Sequence, residues 1–274
     1  MAPELIEQVA AARTLLFVPG DRPERFDKAV ASGADLVVLD LEDAVVPAAK
    51  VGARRAVAEW LDTGRPCVVR INAVGTSWHA DDLDLVRDVG VAVMLPRATL
   101  SAVACVSSVL GPEHPMVALV ETAAGVVHAA GVAATGGVRR LALGTFDLAA
   151  ELGVAPEDRD AMAAARGALV LASAAAGLAP PIDGVTPAVD DRATLESDVA
   201  YAARLGFAGK LCVHPRQVDV VAAVLRPSVD QLDWARRVLT SGADEGVAVV
   251  DGEMVDRPVL ERARRLLAAA EKTL

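Results

Sequence analysis

MVALVETAAGVVHAAGVAATGGVRRLALGTFD, residues Met116 to Asp147, holds one full period of the pattern on which this chain is built. Two apolar runs, Met116–Val120 and Leu141–Leu143, read as buried parallel strands, because strands covered on both faces are continuously apolar. An Ala-rich helix fills Thr122–Ala134 between them. Each run leads into an acid: Glu121 follows at once, and Asp147 comes after the short turn Gly144–Phe146. Two carboxylates therefore leave the same end of neighbouring strands. A hard cation such as Mg²⁺ needs one or two carboxylates, with waters and substrate oxygens completing its octahedron. Acids at helix starts, where the macrodipole favours them, are the other reading of the same pair.

Outward from this stretch the rhythm repeats. Strands are expected at Thr14–Val18, Leu36–Leu39, Cys67–Ile71, Val91–Leu95, Met116–Val120, Leu141–Leu143, Ile182–Val185 and Lys210–Val213. Helices follow at Pro23–Ser32, Ala48–Leu61, Trp78–Val89, Leu100–Leu110, Thr122–Ala134, Asp158–Ala176, Asp191–Leu205 and Pro215–Val224. Eight strand–helix pairs point to an α/β fold, the (β/α)8 TIM barrel, over residues 1–226. The first turn, Pro19-Gly20-Asp21-Arg22-Pro23, lacks the glycine pattern of a dinucleotide-binding sheet. Residues 227–274 form a C-terminal extension. It contains a helix at Ser228–Leu239, a hairpin (Gly246–Val250, Asp251-Gly252, Glu253–Val255) and a last helix at Arg257–Lys272.

The 274 residues are 53% apolar but only 3% aromatic, so the core must be packed with Ala, Val and Leu. A net charge of −10 argues against a nucleic-acid binder, though not against a local arginine pocket. No apolar run is long enough to cross a bilayer and no signal peptide is recognisable, so a cytoplasmic protein is expected. Cys67, Cys105 and Cys212 are dispersed and read as buried, reduced thiols. His79 and His114 read as surface residues, and His214, before Pro215, as structural.

Chemistry in this architecture gathers where strands end. Those ends carry Asp40-Leu41-Glu42-Asp43, Arg70-Ile71-Asn72, Pro96-Arg97, Glu121, Asp147, Asp183 and His214. Charges there need partners or a solvated cleft. They point to an anion-plus-metal site, with acids for the cation and Arg70 for a carboxylate. An Arg70–Asp40 salt bridge of purely structural purpose is the competing reading.

The residues also resemble a known family, the HpcH/HpaI aldolases and citrate lyase beta-subunit-like acyl-CoA lyases. The matching stretches are Arg13-Thr14-Leu15-Leu16-Phe17-Val18-Pro19-Gly20, Val38 through Val45 (VLDLEDAV), Val69-Arg70-Ile71-Asn72, and Ala118-Leu119-Val120-Glu121-Thr122. Leu143-Gly144-Thr145-Phe146-Asp147-Leu148, Gly206-Phe207-Ala208-Gly209-Lys210 through His214-Pro215, and Gly252 through Asp256 complete them. The resemblance implies that Glu121 and Asp147 ligate Mg²⁺ and that Arg70 holds the small acid's carboxylate and keto oxygen. It places Asp40 and Glu42 around the metal's waters and the site floor, and Arg13 and Lys50 against the anionic acyl-CoA. It implies that Asp256, supplied by a neighbouring subunit of a trimer or hexamer, carries the proton. The expected substrates are an acyl-CoA thioester and a small 2-oxo acid. Citryl-thioester cleavage, condensation with thioester hydrolysis, and a non-catalytic metabolite-binding barrel are the alternatives. Two residues depart from the family pattern: Phe146 stands where an acid usually precedes Asp147, and Pro96-Arg97 stands for Pro-Lys.

Overall fold

A computed structural model describes residues 3–241 and 248–271. By their internal contacts these fall into two compact units, 1–222 and 223–274.

The first unit is a closed barrel of eight parallel strands in sequential order. They are β1 (Thr14–Pro19), β2 (Leu36–Asp40), β3 (Val68–Arg70), β4 (Ala92–Leu95), β5 (Met116–Val120), β6 (Val138–Leu143), β7 (Ile182–Asp183) and β8 (Gly209–Cys212). The surrounding helices are α1 (Pro3–Ala11), α2 (Phe26–Val30), α3 (Lys50–Leu61), α4 (His79–Val89), α5 (Leu100–Leu110), α6 (Ala123–Val127), α7 (Ala129–Ala134), α8 (Thr145–Leu152), α9 (Arg159–Ala175), α10 (Arg192–Leu205) and α11 (Pro215–Leu225). All eight expected strands form. Helices α1 and α8 were not expected from the sequence, and the helix expected at Thr122–Ala134 is interrupted at His128.

Strand side chains alternate between the barrel interior and the helix layer. The interior is filled by Leu15, Leu36, Val38, Val68, Met94, Val117, Leu119, Ala142, Ile182 and Leu211, with Val9 of α1 joining the same cluster. Stepping two residues beyond Val38, Val68 and Leu119 reaches Asp40, Arg70 and Glu121. Those three charged residues are therefore the inward-facing top layer of the barrel.

The same alternation corrects two expectations. Asp183 follows the inward Ile182 and so faces the helix layer, not the mouth. There it accepts Lys210 Nζ at 2.9 Å and Arg166 Nε at 3.0 Å, all three residues being buried. Arg13 precedes β1 and lies at the N-terminal end of the barrel, not on the strand and not at its C-terminal mouth. Its N–H donates to Asp35 Oδ2 at 2.7 Å and its carbonyl accepts from Lys210 N–H at 2.8 Å. An acyl-CoA contact at the mouth is out of place for it.

Three further readings change. His79 and His114 are buried, their rings bonded to the Asn72 and Val91 carbonyls at 2.8 and 2.7 Å. A surface assignment missed that ring nitrogens can satisfy orphan carbonyls at loop ends. Cys105 is exposed, while Cys67 and Cys212 are buried.

The second unit contains α12 (Val229–Leu239), a two-stranded hairpin of β9 (Ala248–Val250) and β10 (Glu253–Val255), and α13 (Arg257–Glu271). Ser228 and Gln231 form a reciprocal capping box on α12. Asp251 and Gly252 both have positive φ, 52° and 84°, as a tight two-residue turn requires. Ala235, Val238, Val255, Leu260 and Ala263 form the core of this unit. Gly246, Val247 and Lys272, expected in the hairpin and last helix, lie outside the described residues. Among the described residues no helix is long and apolar enough to cross a membrane.

Candidate active site

The mouth of the barrel is organised by a fork. Arg70 donates from Nε to Asp40 Oδ1 at 2.7 Å and from Nη2 to Oδ2 at 2.6 Å. Asp40 also accepts the N–H groups of Glu42 at 2.8 Å and Ala44 at 3.1 Å, which tie the loop after β2 to the end of its own strand. With four donors and no exposed surface, Asp40 acts through Arg70 and the loop. It lies on the floor of the mouth beneath Arg70. The guanidinium lies over the Phe17 ring at 4.7 Å. Burial works against its charge, but Asp40, Glu42 and Asp43 more than compensate and raise its pKa. It is a fixed cation, with geometry suited to a planar anion.

Glu42 lies on the other side of Arg70. Its Oε2 is 3.1 Å from Arg70 Nη1 but off the hydrogen-bonding direction, so the oxygen is buried with an ion-pair neighbour and no hydrogen bond. Burial pushes its carboxyl up to about 7, against the pull of Arg70. Asp43 and Asp40 push the same way as burial.

Glu121 ends β5 and is 5% exposed. It is not a helix cap: Thr122 caps α6, accepting the Gly125 N–H at 3.1 Å. That leaves the Glu121 carboxylate to the mouth. Its Oε1 accepts the Arg97 backbone N–H at 2.6 Å. Burial raises its carboxyl to about 8; the Arg97 N–H opposes this, and the charges of Glu42 and Asp147 add to it. Asp147 lies in the first turn of α8, exposed to solvent. It is a helix-start acid whose charge reaches the Glu121 carboxyl.

Gly144 separates these two acids. A Cβ there would lie 2.5 Å from Glu121 Oε2 and closer still to Glu121 Cβ. Glycine is what lets the carboxylate lie against β6. The next residue, Thr145, has a buried hydroxyl with no hydrogen-bond partner among the described residues. Phe146 is 39% exposed at the rim.

Lys50 does not present its charge to a ligand. It is buried, its ammonium donates to the Leu41 and Glu42 carbonyls at 2.9 Å each, and it lies 5.0 Å from the Trp78 ring. It fixes the loop that carries Glu42. Asn72 braces the same loop, donating to Leu41 O at 2.9 Å and to Asp82 Oδ2 at 2.6 Å. Arg97 is the exposed cation of this rim, beside a cavity of about 280 Å³ lined by Ala73, Val74, Thr99, Ser101 and Ala102. His214 caps the start of α11, where its Nδ1 accepts the Arg216 N–H at 3.2 Å. In the second unit, Asp256 Oδ1 accepts the Val259 N–H at 3.4 Å at the head of α13.

Among the described residues no group of three or more carboxylates, imidazoles or thiols is placed to enclose a metal ion. A closed zinc-type cage is therefore not the pattern of this mouth. Its acids are oxygen donors: Glu121 after β5, Asp147 in the first turn of α8 after β6, and a third, Glu42, close enough to perturb Glu121. A buried carboxylate whose pKa is raised by neighbouring acids, as Glu121 is by Glu42 and Asp147, is relieved by a cation, and an oxygen-only set is the set Mg²⁺ takes.

The Arg97 N–H, Gly144 and the Thr145 hydroxyl are site features that side-chain reasoning passed over. The signal available for two of them was the Gly-Thr pair between an apolar run and an acid.

Comparison with known proteins follows this geometry. A family model described as HpcH/HpaI aldolase/citrate lyase matches residues 13–215. A citrate lyase subunit beta-like protein of Mycobacterium tuberculosis is 42% identical over 270 residues, covering 95% of this chain and 96% of that one. A (3S)-malyl-CoA thioesterase of Cereibacter sphaeroides is 34% identical over 278 residues, covering 97% of each. A crystal structure of the CitE protein of Mycobacterium tuberculosis, in complex with magnesium, acetoacetate and coenzyme A, superposes with a TM-score of 0.82. It is 40% identical and covers 96% of this chain and 99% of that one. With its eight-stranded barrel and the charged layer at its mouth, this chain belongs to the HpcH/HpaI aldolase/citrate lyase family.

Proposed function

We propose that this chain is a Mg²⁺-dependent carbon–carbon lyase. It cleaves a 3-hydroxyacyl-CoA into an acyl-CoA and a small oxo acid, a 2-oxo acid from a malyl or citramalyl thioester and a 3-oxo acid from a hydroxymethylglutaryl thioester. The observation that carries this reading is the convergence, in one inward layer, of the forked Arg70 cation and the buried Glu121 acid, with Asp147 beside it. The magnesium and coenzyme A bound by the related CitE protein support it.

Glu121 and Asp147 would hold the ion. When bound, Mg²⁺ polarises the oxygens of the small acid and offsets negative charge. Arg70, held flat by Asp40, orients the carboxylate of the leaving oxo acid. A base takes the proton of the 3-hydroxyl, the C2–C3 bond breaks, and its electron pair passes to the thioester as an enolate. Protonation of that carbon gives the acyl-CoA. Asp256 is our proposed proton carrier, supplied by a second copy of the chain in a homo-oligomer. In this reading residues 1–226 are the catalytic barrel and 227–274 the cap. Losing a preorganised charge contact at such a transition state costs about 2–4 kcal/mol.

The 34% identical malyl-CoA thioesterase favours a second reading, in which the thioester is hydrolysed. One experiment tests both. The protein is incubated with Mg²⁺ and a panel of 3-hydroxyacyl-CoA thioesters, and products are identified by mass spectrometry. A 2-oxo acid with intact acyl-CoA is the expected result, abolished in Glu121→Ala and Asp147→Ala. Free CoA with an intact hydroxy acid identifies the thioesterase. Full activity in EDTA overturns the metal assignment.

A further inference from the structure

Thr145 carries a hydroxyl that the fold does not use as a hydrogen-bonding group. The residue is 5% exposed and its Oγ1 has no hydrogen-bond partner among the described residues. An unpaired buried hydroxyl is costly, and native structures keep few of them. It does not cap its helix, because α8 has Gly144 at its N-cap and no side-chain capping bond.

Its location explains where a partner would come from. Gly184 lies two residues beyond Ile182, whose side chain fills the barrel interior, so position 184 also faces inward. A Cβ built on Gly184 would overlap Thr145 Oγ1. The hydroxyl thus occupies the inward space that residue 184 leaves empty, in the same top layer as Asp40, Arg70 and Glu121. On its other side Gly144 packs against Glu121 Oε2. Two glycines in succession around the ring clear space for a hydroxyl on one side and a carboxylate on the other. The first turn of α8 carries N–H groups that helix geometry leaves without intrahelical partners, and its dipole favours negative charge. A donor hydroxyl in that field is suited to an anionic oxygen.

We propose that the Thr145 hydroxyl is a binding contact for the carboxylate of the small 2-oxo acid, opposite the Arg70 fork in the top layer of the barrel. This rests on the lyase reading above. It adds a residue that fixes the orientation of the acid rather than its charge. Threonine and serine serve, whereas valine has the same shape and cannot donate.

The test measures binding of pyruvate, glyoxylate and oxaloacetate in saturating Mg²⁺ by calorimetry, with Mg²⁺ alone as a separate titration. It compares the wild type with Thr145→Val and Thr145→Ser, and records the melting temperature of each ligand-free protein. The expected result is a loss of about tenfold or more in oxo-acid affinity for Thr145→Val, since a hydrogen bond to a charged group is lost. Thr145→Ser stays within about threefold, and Mg²⁺ alone binds all three proteins equally. The melting temperature of Thr145→Val does not fall, because an unpaired hydroxyl is replaced by a methyl. If Thr145→Val binds the acids as the wild type does, the proposal is wrong. A lower melting temperature with unchanged affinity would show that the hydroxyl serves an internal structural water. If the wild type binds no oxo acid, the lyase reading itself fails and takes this contact with it.

Discussion

The Arg97 backbone N–H donates to Glu121 Oε1 at 2.6 Å, and it does so from a left-handed conformation, φ 49°, at a residue that is not glycine. Such backbone costs about 1–3 kcal/mol and persists where surroundings over-determine it. Here the strain aims a donor at the buried acid that we assign to the metal. Arg97→Gly keeps the N–H and removes the strain, so Mg²⁺ affinity should stay within about threefold. Arg97→Pro removes the donor and cannot adopt this φ, so affinity should fall about tenfold or more. Calorimetric titration with Mg²⁺ separates the two.

Gly144→Ala tests the same carboxylate from the opposite side. The added methyl lies 2.5 Å from Glu121 Oε2 and nearer to its Cβ, so the side chain must move. Overpacking of this kind costs roughly 1–3 kcal/mol. Both the melting temperature and the Mg²⁺ affinity should drop. A variant that melts lower but binds Mg²⁺ normally would show that the position of Glu121 is not what glycine protects.

Asp40→Ala strips the fork from Arg70 and leaves a buried guanidinium with Glu42 as its ion-pair neighbour and Asp43 further off. Breaking a buried pair from one side typically costs about 3–5 kcal/mol. Urea unfolding should show a loss of that order. In Asp40→Asn, which keeps the shape, the larger effect should appear in kcat/KM, because one oxygen of the fork is gone.

The pH dependence of stability has a definite sign. The Glu121 carboxyl is raised to about 8 and that of Glu42 to about 7, in each case chiefly by burial, from 4.5. Between pH 4.5 and 8 the folded state therefore holds more protons than the unfolded state. Stability from these two groups is fully present below 4.5 and is lost as pH rises through 7 to 8. The metal-free protein should lose more stability over this range than Glu121→Gln. Mg²⁺ binding at pH 7 should release protons, visible as a calorimetric heat that changes with the buffer's ionisation enthalpy.

The strands and the mouth were legible because a parallel barrel writes itself in repeated apolar runs ending in charge. Glu121, Asp147 and Arg70 all sit where that logic places them. What the pattern left open is which way a side chain points and what already holds it. Asp183 ends a strand like Glu121 but is one residue out of phase, so it serves the outer layer. Arg13 adjoins a strand at the wrong end. Lys50 reads as an available cation until the Leu41 and Glu42 carbonyls are seen around it. The Arg97 contact had no signal in residue type, since its donor is backbone. Thr145 was visible only as a letter in a motif. The space its hydroxyl occupies is left by Gly184, which is distant in sequence.

Strands β6 and β7 pair at a single residue couple, Ala142 with Ile182, the thinnest backbone joint of the ring. Side chains bridge it: Arg140 donates to Pro180 O at 2.7 Å, and Arg166 and Lys210 close on Asp183. A chain divided in the loop between α9 and β7, ahead of Pro180, would put Arg166 on one fragment and Asp183 on the other, and would part Arg140 from the Pro180 carbonyl while leaving it bonded to the Val9 and Ala12 carbonyls. The two pieces would meet across one ion pair, Arg166 with Asp183, and one hydrogen bond, Arg140 to Pro180 O. That loop is the natural place to build a split version of this barrel, whose reassembly would report on whatever brings the halves together.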